Sequence, residues 1–197
     1  MSRLVYGVGI NDADYAVEHQ VTVNGIRTRT WRCPFYKAWK DMLKRCYSEA
    51  FQASSRSYLG CSVSSEWLRF SVFRSWMISQ DWIGKELDKD ILHPGNKTYG
   101  PDRCVFVTHK LNSFTVSNDA TRGEWPLGVS FNKKRGRLEA QCSNPFTGKR
   151  EFLGFFLDQD TAHQAWLLRK HQLACQYADL QSDPRVADAL RKRYAIS

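Results

Sequence analysis

No two of the six cysteines form a Cys-x-x-Cys pair; Cys33, Cys46, Cys61, Cys104, Cys142 and Cys175 are scattered along 197 residues. That scatter argues against a zinc ribbon or knuckle, whose ligands come in close pairs. There is also no apolar run near the ~20 residues that span a bilayer, and no helical pattern sets a basic face beside a Trp/Leu face. No membrane partner is therefore expected. The opening Met1-Ser2-Arg3-Leu4 leads into turn residues rather than a secretory leader. The expectation is a cytoplasmic chain whose thiols stay reduced and pack as small apolar groups. Low-complexity segments and long repeats are absent as well. What the chain has in quantity is apolar (42%) and aromatic (13%) residues, enough for one ordinary domain or two small ones and too many for a disordered tail.

Acidic residues are outnumbered, 20 against 29 lysines and arginines, for a net charge of +9. The excess is uneven. Lys133, Lys134, Arg135, Arg137, Lys149 and Arg150 fall between Asn132 and Arg150, opposed only by Glu139. Such a cluster suits a polyanion, because phosphates neutralised by Lys and Arg release counterions. The plainer reading is a solvated basic surface.

Pattern divides the chain into four stretches. Residues 1–30 alternate loosely and contain Asn24-Gly25, a hairpin signal. In residues 31–117, Tyr36, Trp39, Leu43, Cys46 and Tyr47 recur at helical spacing behind Pro34. A polar break follows from Ser48 to Ser57. The pattern then predicts a helix from Glu66 to Ile78, capped by Ser65, whose Trp67, Phe70, Phe73 and Trp76 or Met77 read as core. Strand-like runs at Lys85–Leu92 and Arg103–Thr108 flank a loop, His93 to Pro101, and a short helix carries Asn112. After a linker from Ser117 to Gly123, residues 118–181 predict strands at Leu127–Lys133, Arg137–Ser143 and Arg150–Phe156. A helix from Thr161 to about Leu180 follows, capped by Asp158 or Asp160. Residues 182–197 read as a short helical tail. The fold class is α+β: a central helical module, then a three-stranded antiparallel sheet packed on one helix.

Strand periodicity sorts the faces of that sheet. Leu138, Ala140 and Cys142, with Val129 and Phe131, are expected beneath the helix. Ser130, Asn132, Arg137, Gln141 and Ser143 then point outward, with Lys133, Lys134, Arg135, Lys149 and Arg150 at strand ends and turns. Asn, Gln and Arg match base edges in a major groove, and the flanking cations suit phosphates.

The runs Gly128-Val129-Ser130-Phe131, Gly136-Arg137-Leu138-Glu139-Ala140, Phe152-Leu153-Gly154-Phe155-Phe156 and Thr161-Ala162 through Ala165-Trp166 resemble the Apetala2-type DNA-binding domain, over Trp125 to Tyr177. That family packs three strands on one helix and occurs in plant transcription factors and phage homing endonucleases. The resemblance implies double-stranded DNA as partner, read by Ser130, Asn132, Gln141 and Ser143, with Phe152 where the family often has Trp. The plant proteins carry arginines where this chain has Ser130, Asn132 and Ser143, so their base preference does not transfer.

The central stretch, Leu87-Asp88-Lys89-Asp90-Ile91 with Arg103-Cys104-Val105-Phe106-Val107 and Asn112, resembles the ββα-metal (HNH) nuclease fold, in its phage homing-endonuclease branch. The resemblance implies Asp88 or Asp90 and Asn112 as ligands of Mg²⁺ or Mn²⁺, which would neutralise a scissile phosphate. The family's general-base histidine is replaced: Lys89 or Ile91 stands in its place, with His93 the nearest substitute. Two functions follow as expectations. One is a metal-dependent DNA nickase or endonuclease of homing type, acting in a host cell if carried by a phage or mobile element. The other is a non-cleaving DNA-binding repressor built from the same parts.

Overall fold

The computed structural model describes residues 4–116 and 123–195. Met1 to Arg3, the last two residues and, apart from Gly123, the expected linker lie outside the described residues. The chain is α+β and divides into two compact units, residues 1–107 and 108–197.

In the first unit β1 (Glu18–Val23) and β2 (Ile26–Arg32) form an antiparallel ribbon. The turn is the expected Asn24-Gly25, both residues at positive φ, 51° and 76°, as a two-residue turn between twisted strands requires. Helix α1 (Pro34–Tyr47) buries Tyr36, Trp39, Leu43 and Cys46 of the expected stripe together with Met42, while Tyr47 is half-buried and its hydroxyl accepts from the Val63 N–H. The polar break beyond it is not structureless. Ser48 caps a short helix α2 (Glu49–Ser54), and the Gln52 amide donates to the Arg45 and Cys46 carbonyls, closing the end of α1.

The single helix expected from Glu66 to Ile78 is two pieces, a 3₁₀ turn (Ser65–Leu68) and α3 (Phe70–Ile78), with Arg69 extended between them. A distant segment makes the break: the Ile10 N–H donates to the Leu68 carbonyl and the Phe70 N–H to the Ile10 carbonyl, consuming groups a continuous helix would pair internally. The core is aromatic, with Trp39, Trp67, Phe70 and Phe73 almost fully buried and the Trp39 indole N–H donating to the Trp67 carbonyl at 2.7 Å. Each such phenylalanine contributes roughly 1.5–3 kcal/mol.

The two strand-like runs shrink to β4 (Glu86–Asp88) and β6 (Val105–Val107), paired antiparallel. The presumed loop between them holds β5 (Thr98–Tyr99), which pairs in parallel with β3 (Ser62–Val63). Two-residue strands of this kind leave no periodicity to read.

The second unit opens with α4 (His109–Thr115), capped by Thr108, whose hydroxyl accepts from the Leu111 N–H. Strands β7 (Val129–Asn132), β8 (Arg137–Ser143) and β9 (Arg150–Phe156) form an antiparallel sheet in the order β7-β8-β9. Helix α5 (Gln159–Asp179) crosses one face, started by the Asp158 carboxylate accepting from the Thr161 N–H at 2.8 Å, and α6 (Pro184–Arg193) packs on α5. Leu138, Ala140 and Ala162 are buried between sheet and helix, with Val129, Leu153 and Phe156 against them. Phe131, expected in that core, is 47% exposed and stacks on Trp125 instead. All six cysteines are free thiols, and five are buried. Among the described residues, no helix is long and apolar enough to cross a membrane.

Candidate nucleic-acid interface

The outward face of the sheet is fixed by register. Ser130 pairs with Glu139, Asn132 with Arg137, Gln141 with Phe152 and Ser143 with Arg150, so these eight side chains share the side away from α5. The sequence-predicted face is therefore brought together, with one addition. β9 bulges at Leu153, between the residues opposite Ala140 and Gln141, and Phe155 lies opposite Glu139 on the outward side. Gly154, at φ 140°, accommodates the irregularity where a side chain would be strained. Phe152 and Phe155, three residues apart, thus lie together with ring centroids 4.9 Å apart, and Phe152 is 56% exposed. Phe155 escaped the periodicity argument, which places residues three apart on opposite faces; the glycine inside the strand was the available signal.

Cations surround this face. Lys133, Lys134, Arg137, Lys149 and Arg150 are exposed, and among the described residues none has an ion-pair partner. Arg135 lies over the Phe155 ring, 4.9 Å from its centre. Elsewhere in the unit four cations are matched by carboxylates: Arg169 with Glu151, Arg185 with Asp183, Arg191 with Asp179 and Lys192 with Asp188.

Glu139 occupies the middle of the face and is the second feature missed. Its carboxylate accepts from the Asn132 amide at 2.8 Å and from the Gln141 amide, and these bonds hold it ionised below the usual carboxylate range. Asn132 is committed twice, since its carbonyl oxygen accepts from the Arg135 N–H in the turn. The two amides expected to read bases are therefore positioned by an acid, and Asn132 serves the hairpin as much as the surface.

Beside the face a cleft of about 730 Å³ runs along α4, floored by Val129, Phe114 and Trp166 and edged by Lys110, Arg150 and Lys170. The Lys170 ammonium donates to the Phe114 carbonyl and lies 3.5 Å from the centre of the Phe114 ring. Burial lowers its pKa to about 8.

The candidate metal residues are arranged otherwise. Asp88, Lys89 and Asp90 sit at the end of β4 in the first unit, whereas Asn112 is on α4 in the second. One oxygen of Asp88 accepts from the Asp90 and Ile91 N–H groups at 2.8 and 2.6 Å, shaping the turn that leaves the strand. Burial raises the Asp88 pKa against these bonds. Lys89, only 4% exposed, donates to both oxygens of Asp90 and to the Asn96 carbonyl. The Asn96 amide returns bonds to the Lys89 and Thr98 carbonyls, closing the loop, and His93 is exposed at its far side. These residues do not fit a Mg²⁺ or Mn²⁺ ion as they stand. The Asp90 carboxylate is already neutralised by a buried ammonium, and a dication would have to displace it. Among the described residues, no three His, Cys, Asp or Glu side chains cluster to hold a metal ion.

No protein-family model, curated protein or solved structure matches the chain.

Proposed function

We propose that the chain is a double-stranded DNA-binding protein whose outward β7-β8-β9 face contacts the duplex. The observation that carries this reading is the rim of unpaired cations around a face of serines, amides, the exposed Phe152 and the half-buried Phe155, in a unit where four other cations are matched by carboxylates. Lys133, Lys134, Lys149 and Arg150 neutralise phosphates and set the register. Arg137, Gln141, Ser130 and Ser143 face base edges, while Phe152 and Phe155 offer apolar contact to thymine methyl groups. Glu139 repels phosphate, confining the backbone to the rim, and holds the Gln141 amide in one orientation. The resemblance to the Apetala2-type domain supports the same assignment.

Of the two activities such a protein would have, binding without cleavage is the one the surroundings of Asp88 and Asp90 favour. One oxygen of Asp88 is held by its own turn, and both oxygens of Asp90 are bonded by Lys89. A repressor, which needs binding and no cleavage, is the role this reading proposes. The test is a duplex selection followed by titration of the best sequence over a range of salt. Tight, strongly salt-dependent association is expected, and failure to associate even in dilute salt would end the reading.

A further inference from the structure

A second surface of the same chemistry lies in the other unit. The β1–β2 ribbon is exposed on both faces from Gln20 to Thr30; nothing in the described first unit covers it. A two-stranded ribbon is marginal by itself, so an uncovered one is material for a partner. Its register gives two unlike faces. Glu18 pairs with Arg32, Gln20 with Arg29 and Thr22 with Arg27 on one side, while His19 pairs with Trp31, Val21 with Thr28 and Val23 with Ile26 on the other. The first side carries three arginines against one carboxylate. That carboxylate is already shared, Glu18 lying 2.5 Å from Arg32, 3.6 Å from Arg29 and 3.8 Å from Lys40. Arg27, nearest the turn, has no ion-pair partner among the described residues. The positive charge at the exposed end of the ribbon is thus unopposed, and a polar cleft of about 580 Å³ bounded by Tyr15, Gln20, Arg27 and Tyr36 lies along its base.

We infer that the β1–β2 ribbon is a second duplex-contacting element, which lays its Gln20, Thr22, Arg27 and Arg29 side into a DNA groove. Two strands about 5 Å apart with their side chains match a major groove about 12 Å wide, and arginine, glutamine and threonine are the residue types that bond base edges and phosphates there. The inference rests on the proposed DNA ligand but not on the β7-β8-β9 face, so the two contacts can fail separately.

The experiment compares full-length variants on one selected duplex, with the thermal midpoint of each confirming that it folds. Arg27→Gln is expected to lower the slope of log affinity against log salt by about one unit and weaken binding roughly three- to tenfold near 0.1 M salt. Arg27→Lys, which keeps the charge, should restore the slope. Val23→Ser and Ile26→Ser, on the opposite side, should bind as the parent does. Full affinity and slope in Arg27→Gln, with losses in Lys133→Gln and Lys149→Gln, would overturn the ribbon and leave the sheet face standing. The reverse pattern would keep the ribbon and remove the sheet face. Losses confined to Val23→Ser and Ile26→Ser would assign the ribbon to a protein partner on its apolar side and overturn the inference. A parent protein that binds no duplex would overturn both.

Discussion

The Trp166 ring stands where a side chain on Gly128 would begin. A Cβ at that position would run into Cγ, Cδ1 and Nε1 of the indole, and Gly128 also holds φ at 78°, a conformation that side chains resist. The turn into β7 therefore fits against α5 only as glycine. Gly128→Ala is expected to destabilise the second unit by about 2–4 kcal/mol, combining backbone strain and overpacking. Chemical denaturation followed by Trp fluorescence measures this, and an unchanged midpoint would show that the ring has room to move.

Phosphate contacts and base contacts separate by their sequence dependence. Lys133→Gln and Lys149→Gln should weaken every duplex alike, each lowering the salt slope by about one unit. Gln141→Ala should instead compress the preference among sequences by about 1–3 kcal/mol. Binding isotherms on the selected and a scrambled duplex distinguish them, and equal losses on both for Gln141→Ala would remove it from base recognition.

Glu139 opposes phosphate while orienting its neighbours. Glu139→Gln keeps the shape and deletes the charge, so affinity for all duplexes should rise about three- to fivefold, the scale of one charge–charge contact in water. The ratio between selected and scrambled duplex should fall. Weaker binding to both would mean that the carboxylate itself contacts the ligand.

The Glu151 carboxylate is held at about 2 by the Arg169 guanidinium, at 2.6 and 3.0 Å, and by the Asn144 amide. A depressed acid stabilises the fold above its unfolded pKa, and that support disappears as pH falls through the folded one. The thermal midpoint of the second unit should therefore decline between about pH 4.5 and 2, and Glu151→Gln should decline less over that window. Because the pair is partly exposed, solvent screening keeps the effect modest. Parallel curves for parent and variant would dismiss the pair as a source of acid lability.

Millimolar Mg²⁺ or Mn²⁺ should leave a bound plasmid supercoiled. Asp88→Ala should lower the stability of the first unit by about 1–3 kcal/mol, because two turn N–H groups lose their acceptor. Nicking by the parent that Asp88→Ala abolishes without loss of duplex binding would instead restore a metal-dependent nuclease.

Sequence reading went furthest where local signals and burial agree. β8 and β9 span the residues that alternation marks, and α5 begins where Asp158 can cap it, because capping and one-sided burial act within a few residues. It failed where distant parts of the chain intervene. Ile10 divides the helix around Arg69, and Tyr99 finds Val63 in a parallel pair. At the candidate site, the outward faces of β7 and β8 were legible, but the β9 bulge that brings Phe155 beside Phe152 was not. Nor was the Glu139 clasp on Asn132 and Gln141, since composition does not show which polar groups bond to each other.

The C-terminal end of α4 is closed from outside the helix. Its last carbonyls, at Phe114 and Thr115, are bonded by Lys170 from α5 and by Arg193 from the end of α6. The first and last helices of the second unit are thereby stitched together at the C-terminal end of α4. Trimming α6 would remove the Arg193 bond to the Thr115 carbonyl and so unfasten the helix with which the unit starts.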